Sequence, residues 1–397
     1  MASQEPQRAI PREGHPSGEF IDRNGERWYA LRHVDRLAPF FISVVSGSDH
    51  WLYASSTGGL SAGRVSPETA LFPYVPVDRI HDSHVHTGST TVLRVRRRGQ
   101  ETLWEPFGDA VAPGHALSRN LYKNALGNKL CFEEINHDLQ LAFSYTWCTS
   151  EEFGFVRQCE LLNLGSAEAA IELLDGVRNL LPAGTPRTVQ ANASNLVDAY
   201  RRAEFDARHG LALFTLYTGI SDRAEACESL RATTAFCLGL PAPVVLLSAR
   251  QLGGFRRGEP VAPETEVRGV RQAFLAGASL NLAGRGRHSW LMALDVEQGQ
   301  VEVVGLGQRL ATTPGLESAI TASIEAGSEA LAAGVGACGG FQSTAEPAVA
   351  VHHYANVLFN VMRGGLFDEN DLVPLDDFLA NLRHFNRPAS ERHGQAL

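Results

Sequence analysis

Between residues 139 and 147 the chain sets Leu139, Leu141, Phe143, Tyr145 and Trp147 on alternate positions. Successive side chains of a strand point to opposite faces, so this spacing makes one face wholly apolar, and that face needs a second layer to cover it. The alternation recurs at Phe274, Ala276, Ala278, Leu280 and Leu282, and at Leu211, Leu213, Thr215 and Tyr217. Further strands are expected at 41–45, 51–55, 91–95, 244–247 and 290–294. The run 155–162, then Asn163-Leu164-Gly165-Ser166, then 170–174 reads as strand, turn, strand, which is a hairpin. Few helical patterns interrupt the period-two stretch from Trp28 to about Leu310, so the rhythm of a parallel α/β sheet is missing. The expectation is a mainly β fold: a large two-sheet antiparallel sandwich over 27–311.

The period changes near residue 312. Thr313-Pro314 has a helix-opening pattern, and Leu316, Ile320, Ile324 and Leu331 mark one face of the helix it would start. Pro347 opens another, with Val351, Tyr354, Ala355, Leu358, Val361 and Met362 at helical spacing and Gly364-Gly365 at its end. Leu375, Phe378, Leu379, Leu382 and Phe385 repeat the pattern. These amphipathic stripes need a surface to cover. They predict a helical linker and the start of a helical domain over 312–397, with the chain as the N-terminal part of a longer protein, or else a homodimer contact. Residues 1–26, rich in Pro, Gly, Glu and Arg, read as a flexible arm.

A length of 397 residues suits two or three domains, or one large β domain with additions. Hydrophobic residues at 44% and charged residues at 20% fit a globular chain rather than a disordered one. Lys+Arg 35 against Asp+Glu 44 leaves a formal charge of -9, which repels phosphate backbones and anionic lipid, so neither nucleic acid nor membrane is an expected partner. Cys131, Cys148, Cys159, Cys227, Cys237 and Cys338 form no C-x-x-C pair and read as reduced thiols. The N-terminus has no apolar signal region, and the cytoplasm is the expected location. Glycines at 334–340 follow a helix, whereas a phosphate loop precedes one, so no nucleotide cofactor is expected.

Ile80-His81-Asp82-Ser83-His84-Val85-His86-Thr87-Gly88 is the sharpest local motif. On a strand, His84 and His86 would share a face, as two imidazoles on one metal ion require. The wording resembles the first-strand His-x-His of metal-dependent amidohydrolases. Those enzymes need a (β/α)8 barrel with further ligands at later strand ends, whereas His115, His137, His209 and His288 stand isolated here. A metal-dependent hydrolase is therefore the third reading, behind a polar loop near a binding surface, and no metal ligand is assigned. Arg96-Arg97-Arg98 reads as a solvated strand end.

Residues 49–64 run from a strand with exposed aromatics, Trp51 and Tyr53, into Ser55-Ser56-Thr57-Gly58-Gly59-Leu60-Ser61-Ala62-Gly63-Arg64. Glycines in such a loop let backbone approach a ligand closely. Leu71-Phe72-Pro73-Tyr74 and Leu103-Trp104-Glu105-Pro106-Phe107 follow. Aromatic rings stack on the apolar faces of sugars while planar polar groups bond their hydroxyls, so the candidate sugar-binding residues are Trp51, Thr57, Gly58, Gly59, Ser61, Arg64 and Trp104. The competing reading makes Trp51, Tyr53 and Trp104 core aromatics.

Ser-x-Thr-Gly-Gly-x-Ser after a strand, then an arginine, an acidic and aromatic stretch and a Trp-x-Pro, is similar to the N-terminal β-supersandwich of cellobiose phosphorylase and related glycoside phosphorylases. The layout corresponds over about 30–390, and 55–64 is its motif-like part. Residues 65–70 lack the arginine-rich run common in cellobiose phosphorylases. This resemblance implies a two-sheet sandwich, a helical linker and an (α/α)6 barrel whose Asp is the general acid, with phosphate or water as nucleophile. It implies that 57–59, Ser61 and Arg64 face a sugar cleft, and that the catalytic carboxylate is not in this chain. The leading expectation is the non-catalytic sandwich of an inverting glycoside phosphorylase or hydrolase; a stand-alone carbohydrate-binding or assembly module comes second.

Overall fold

A computed structural model describes residues 14–97, 99–108, 116–192, 194–220, 229–362 and 374–393. The first half of the N-terminal arm, Arg98, His115, Cys227 and Gly364-Gly365 lie outside the described residues. Residues 1–328 form one compact unit and 329–397 a second.

The first unit is mainly β. Its largest sheet has eleven strands in the order Ser17–Arg23, Glu26–Arg32, Leu117–Asn124, Leu130–Asn136, Leu141–Ser150, Gly154–Asn163, Arg287–Gln298, Ala232–Leu238, Leu211–Leu216, Arg201–Asp206 and Glu266–Arg268. A five-stranded sheet runs Val244–Ser248, Gln272–Leu282, Ala169–Leu180, Gly88–Arg97, Gln100–Trp104, and a four-stranded one runs Phe41–Val44, His50–Ser55, Leu60–Arg64, Ala70–Phe72. Neighbouring strands pair antiparallel in each. Inward alternate residues of the three sheets meet in one core, with Phe143, Tyr145, Trp147 and Phe155 from the large sheet, Leu93, Leu173 and Phe274 from the second and Leu52, Leu60 and Phe72 from the third.

Two sequence expectations change here. The strands Gly154–Asn163 and Ala169–Leu180 are not a hairpin. The first pairs with Leu141–Ser150 and Arg287–Gln298, the second with Gly88–Arg97 and Gln272–Leu282, so the chain between them crosses from one sheet to another. Both strands carry an apolar inward face, and stacking buries those faces whereas edge pairing would leave them side by side in one layer. Asn163 pins the corner: its Nδ2 donates to the Ala167 and Ala283 carbonyls at 2.8 and 3.0 Å, and its Oδ1 accepts from Arg97 Nη2 at 2.7 Å. The arm also ends early. Ser17–Arg23 and Glu26–Arg32 form an edge hairpin around Asn24-Gly25, both at positive φ, the dipeptide that a two-residue turn favours.

The strand pattern ends sooner than its period suggested. Gln300–Thr312 is a helix, although its valines favour strand, because Val303, Leu306 and Leu310 fall at helical spacing onto the outer face of the large sheet. Leu316, Ile320 and Ile324 pack there too, beside Cys148, Phe153 and Val156. The second unit holds the rest of helix Leu316–Ala337 with Pro347–Met362, Leu375–Phe385 and Arg387–His393. Within it the Phe341 and Tyr354 rings lie 5.3 Å apart. No described helix is long and apolar enough to cross a membrane. Cys131, Cys148, Cys159, Cys237 and Cys338 are free thiols.

One charged pair sits inside the core. Arg157 takes an inward position between Phe155 and Cys159, and Asp175 one between Leu173 and Val177 on the facing sheet; both side chains are fully buried. Arg157 donates from Nη1 and Nη2 to Asp175 at 2.7 and 3.0 Å. Asp175 also accepts from Trp290 Nε1 at 2.7 Å and Thr91 Oγ1 at 2.6 Å. The guanidinium lies over the Tyr145 ring, 4.6 Å from its centroid. Burial opposes the charge on Arg157, but Asp175 outweighs it and holds the group above the usual arginine range. Removing one member of such a pair strands a charge in an apolar interior, at a cost of about 3–5 kcal/mol. Arg157→Met is therefore expected to lower unfolding free energy by that amount in urea titrations, with Arg157→Met/Asp175→Leu recovering part of the loss; a single-variant cost below about 1 kcal/mol would contradict this account.

Candidate functional site

Three segments of the first unit converge on a cavity of about 420 Å³, within the range of small-molecule sites. The first is the glycine loop. Ser55 Oγ lies 2.7 Å from His81 Nδ1, and Thr57 Oγ1 donates to the His81 carbonyl at 2.8 Å, tying the loop to the 80–86 turns. Gly59 makes that approach possible: a Cβ there would stand 1.8 Å from the Ile80 carbonyl oxygen. Gly58 has φ +93, a left-handed conformation that suits glycine, and its open side faces the Tyr145 hydroxyl.

The second segment is 104–108. Trp104 is buried and donates from Nε1 to Glu134 at 2.7 Å. Glu134, fully buried on the large sheet, also accepts from the Phe107 amide at 2.8 Å and Arg119 Nε at 2.7 Å. One carboxylate thus satisfies an indole, a backbone amide and a guanidinium, and fixes the loop that carries Glu105, Pro106, Phe107 and Gly108 into the cavity wall. The third segment is the start of strand Gly88–Arg97, which supplies Ser89, Thr90 and Thr91.

Tyr145 and Thr91, two direct contacts of the buried Arg157–Asp175 pair, also line the cavity. Burial pushes the Tyr145 hydroxyl well above the usual tyrosine range, so it is a neutral O–H at any physiological pH. Arg178 donates from Nη1 and Nη2 to the Val85 and His84 carbonyls at 3.1 and 3.0 Å. Arg256 grips Glu105 with two parallel bonds of 2.8 Å. His84 lines the cavity as well, its Nδ1 within 2.9 Å of the His81 carbonyl.

Of the residues singled out from sequence, Thr57 and Gly58 line this cavity, and Gly59 and Trp104 hold its walls without lining it. Ser61 is buried and donates to the Pro73 carbonyl at 3.0 Å. Arg64 clamps Asp49 at 2.9 Å and Asp295 at 2.9 Å, joining the small sheet to strand Arg287–Gln298. Trp51 belongs to an aromatic row on the outer face of the small sheet, 5.7 Å from Tyr53 and 5.6 Å from Tyr74. His84 and His86 do not share a strand face. His84 sits in the single 3-10 turn Ser83–Val85 and His86 just after it, so the two-residue period of a strand does not hold there. Among the described residues no group of three His, Cys, Asp or Glu is arranged to hold a metal ion.

Arg178, Arg256, Ser89 and Thr90 escaped the sequence reading because nothing local marks them. Tyr145 was visible as an inward aromatic, but its hydroxyl's outlet to the cavity depends on Gly58, which lies on another sheet.

No protein-family model and no curated protein matches the chain. Among solved structures, a bacterial glucoamylase complexed with acarbose overlaps 75% of this chain and 37% of its own at 8% identity and a TM-score of 0.40. A provisionally assigned kojibiose phosphorylase from the human microbiome overlaps 87% and 42% at 6% identity and 0.39. A polysaccharide lyase overlaps 66% and 33% at 10% identity and 0.36. The chain thus spans about a third to two-fifths of these proteins.

The Arg64 junction between the small sheet and strand Arg287–Gln298 gives the fold a pH test. Burial, then Arg64, pushes the His50 imidazole down to about 4 from 6.5; burial, opposed by Arg64, pushes the Asp295 carboxyl up to about 6 from 3.8. As pH falls from 6.5 to 4 the unfolded chain takes a proton at His50 before the folded chain does, which destabilises the fold. Across 6 to 3.8 the folded chain takes a proton at Asp295 first, which stabilises it, so the two offset. Measured by denaturant unfolding at pH 7, 5.5 and 4, His50→Asn is expected to gain roughly 3 kcal/mol on wild type as pH falls and Asp295→Asn to lose about as much. Parallel pH profiles for all three proteins would overturn this.

Proposed function

We propose that this chain is the sandwich portion of a carbohydrate-active protein and that the cavity between the glycine loop and the 104–108 segment holds a sugar unit. One observation carries the reading: neutral hydroxyls (Tyr145, Thr90), a charged guanidinium (Arg178) and an aromatic ring (Phe107) converge on a concave space of about 420 Å³. A sugar is a ring of hydroxyls with apolar faces, and it needs this mixture of hydrogen-bonding groups and a ring to stack on.

Within this reading the chain binds rather than cleaves. Acid–base glycoside hydrolysis uses two carboxylates flanking the bond, and Glu105 is the single carboxylate among the described residues lining the cavity, with both oxygens engaged by Arg256. The reaction centre of a phosphorylase or hydrolase would then belong to a helical domain of the parent protein. A second reading, a stand-alone module that binds a glycan chain, is favoured by the aromatic row Phe41, Tyr53, Trp51 and Tyr74, whose successive centroids are 5.4 to 5.7 Å apart.

Calorimetric titration of the 397-residue chain with mono- and oligosaccharides tests both. Tyr145→Phe keeps the ring and removes the hydroxyl, so it is expected to weaken binding roughly 2- to 10-fold, the worth of one neutral hydrogen bond. Loss on Trp51→Ala with no effect of Tyr145→Phe would move the site to the aromatic row. No heat with any saccharide, or steady hydrolysis by this chain alone, would sink the proposal.

A further inference from the structure

Among the described residues, charge around the cavity does not balance: Arg178 and Arg256 both line it, against the one carboxylate of Glu105. Arg256 takes both oxygens of that carboxylate. Arg178 spends two of its five N–H groups on the carbonyls of His84 and Val85, which hold it in position without neutralising it. Its Nε is buried and has no hydrogen-bond partner, and among the described residues it forms no ion pair. Burial, and then repulsion from Arg256, lowers its pKa, with Glu105 opposing. Taking a guanidinium out of water without a counter-ion is costly, and at Arg157 this same fold supplies one.

We infer that the cavity selects a sugar bearing a single carboxylate, of the uronic acid class, with that carboxylate seated on Arg178. The inference rests on the sugar reading above and narrows it. One unbalanced guanidinium matches one negative charge, and its planar fork matches the two coplanar oxygens of a carboxylate. A dianion or a dicarboxylate would set its second charge against Glu105. The Tyr145 and Thr90 hydroxyls remain for the ring hydroxyls, and Phe107 for an apolar ring face.

The test is calorimetric titration of the full chain with D-glucose, D-glucuronate, glucose 6-phosphate and acetate at low and high NaCl. Glucuronate is expected to bind at least about tenfold tighter than glucose, the least that a hydrogen bond to a charged group contributes, and that margin should shrink with added salt. In Arg178→Gln the margin should collapse, and Arg178→Lys, which keeps the charge but not the fork, should retain part of it. Equal affinity for glucose and glucuronate, or a margin insensitive to salt, overturns the inference and leaves the sugar reading standing. Binding of none of the saccharides overturns both. Glucose 6-phosphate binding tighter than glucuronate overturns the carboxylate assignment, and acetate binding as tightly as glucuronate overturns the claim that a sugar is recognised. The salt dependence is read on the unmodified protein, so the outcome stands even if the variants fold poorly.

Discussion

Arg157 and Asp175 join the two principal sheets through an ion pair with no access to water. An apolar interior tolerates such a pair only when most of its donors and acceptors are met, and here Trp290, Thr91 and the Tyr145 ring meet all but the Arg157 Nε. Hydrophobic faces slide over one another with little penalty, but this constellation has one geometry. It sets the register of the facing sheets and, through Thr91 and Tyr145, the floor of the cavity.

The wall at 104–108 depends on a buried polar group that is fully engaged. Glu134 has no solvent to fall back on, so its bonds to Trp104, Phe107 and Arg119 are obligatory and the 104–108 segment is fixed by them. Gly59 acts by omission: without a side chain, the glycine loop closes onto Ile80. Two residues that read from sequence as ligand contacts, Trp104 and Gly59, are thus supports of the cavity, while Thr57 and Gly58 line it. Arg178 differs: two carbonyls hold it, and among the described residues it forms no ion pair.

Several features could be read in the sequence because they are local. Alternation at 139–147, 211–217 and 274–282 marked strands, and the spacing after Pro347 marked a helix, but it did not show that both strand faces are covered in part: Ala212 and Phe214 face the core while Leu211 and Leu213 pack on the other side. Arg157 and Asp175 could have been found the same way, as charged residues on inward positions of apolar strands. The hairpin at 163–166 went wrong because a corner between sheets and a turn within one have the same local composition; what separates them is which strands occupy the edges on either side, and those strands lie far away in sequence. His84 and His86 failed for a related reason, since a two-residue spacing means a shared face in a strand only.

The sequence by itself determined a mainly β sandwich with helices after it, because hydrophobic period is a property of neighbouring residues and neighbours set which face is buried. Tertiary structure alone decided that Tyr145, Ser89, Glu105, Arg178 and Arg256 meet around one cavity, and that Trp51, Ser61 and Arg64 do not join them. Convergence of that kind depends on the order and register of strands, fixed by buried polar contacts between residues tens to hundreds of positions apart, and no short window of the chain contains both halves of such a contact.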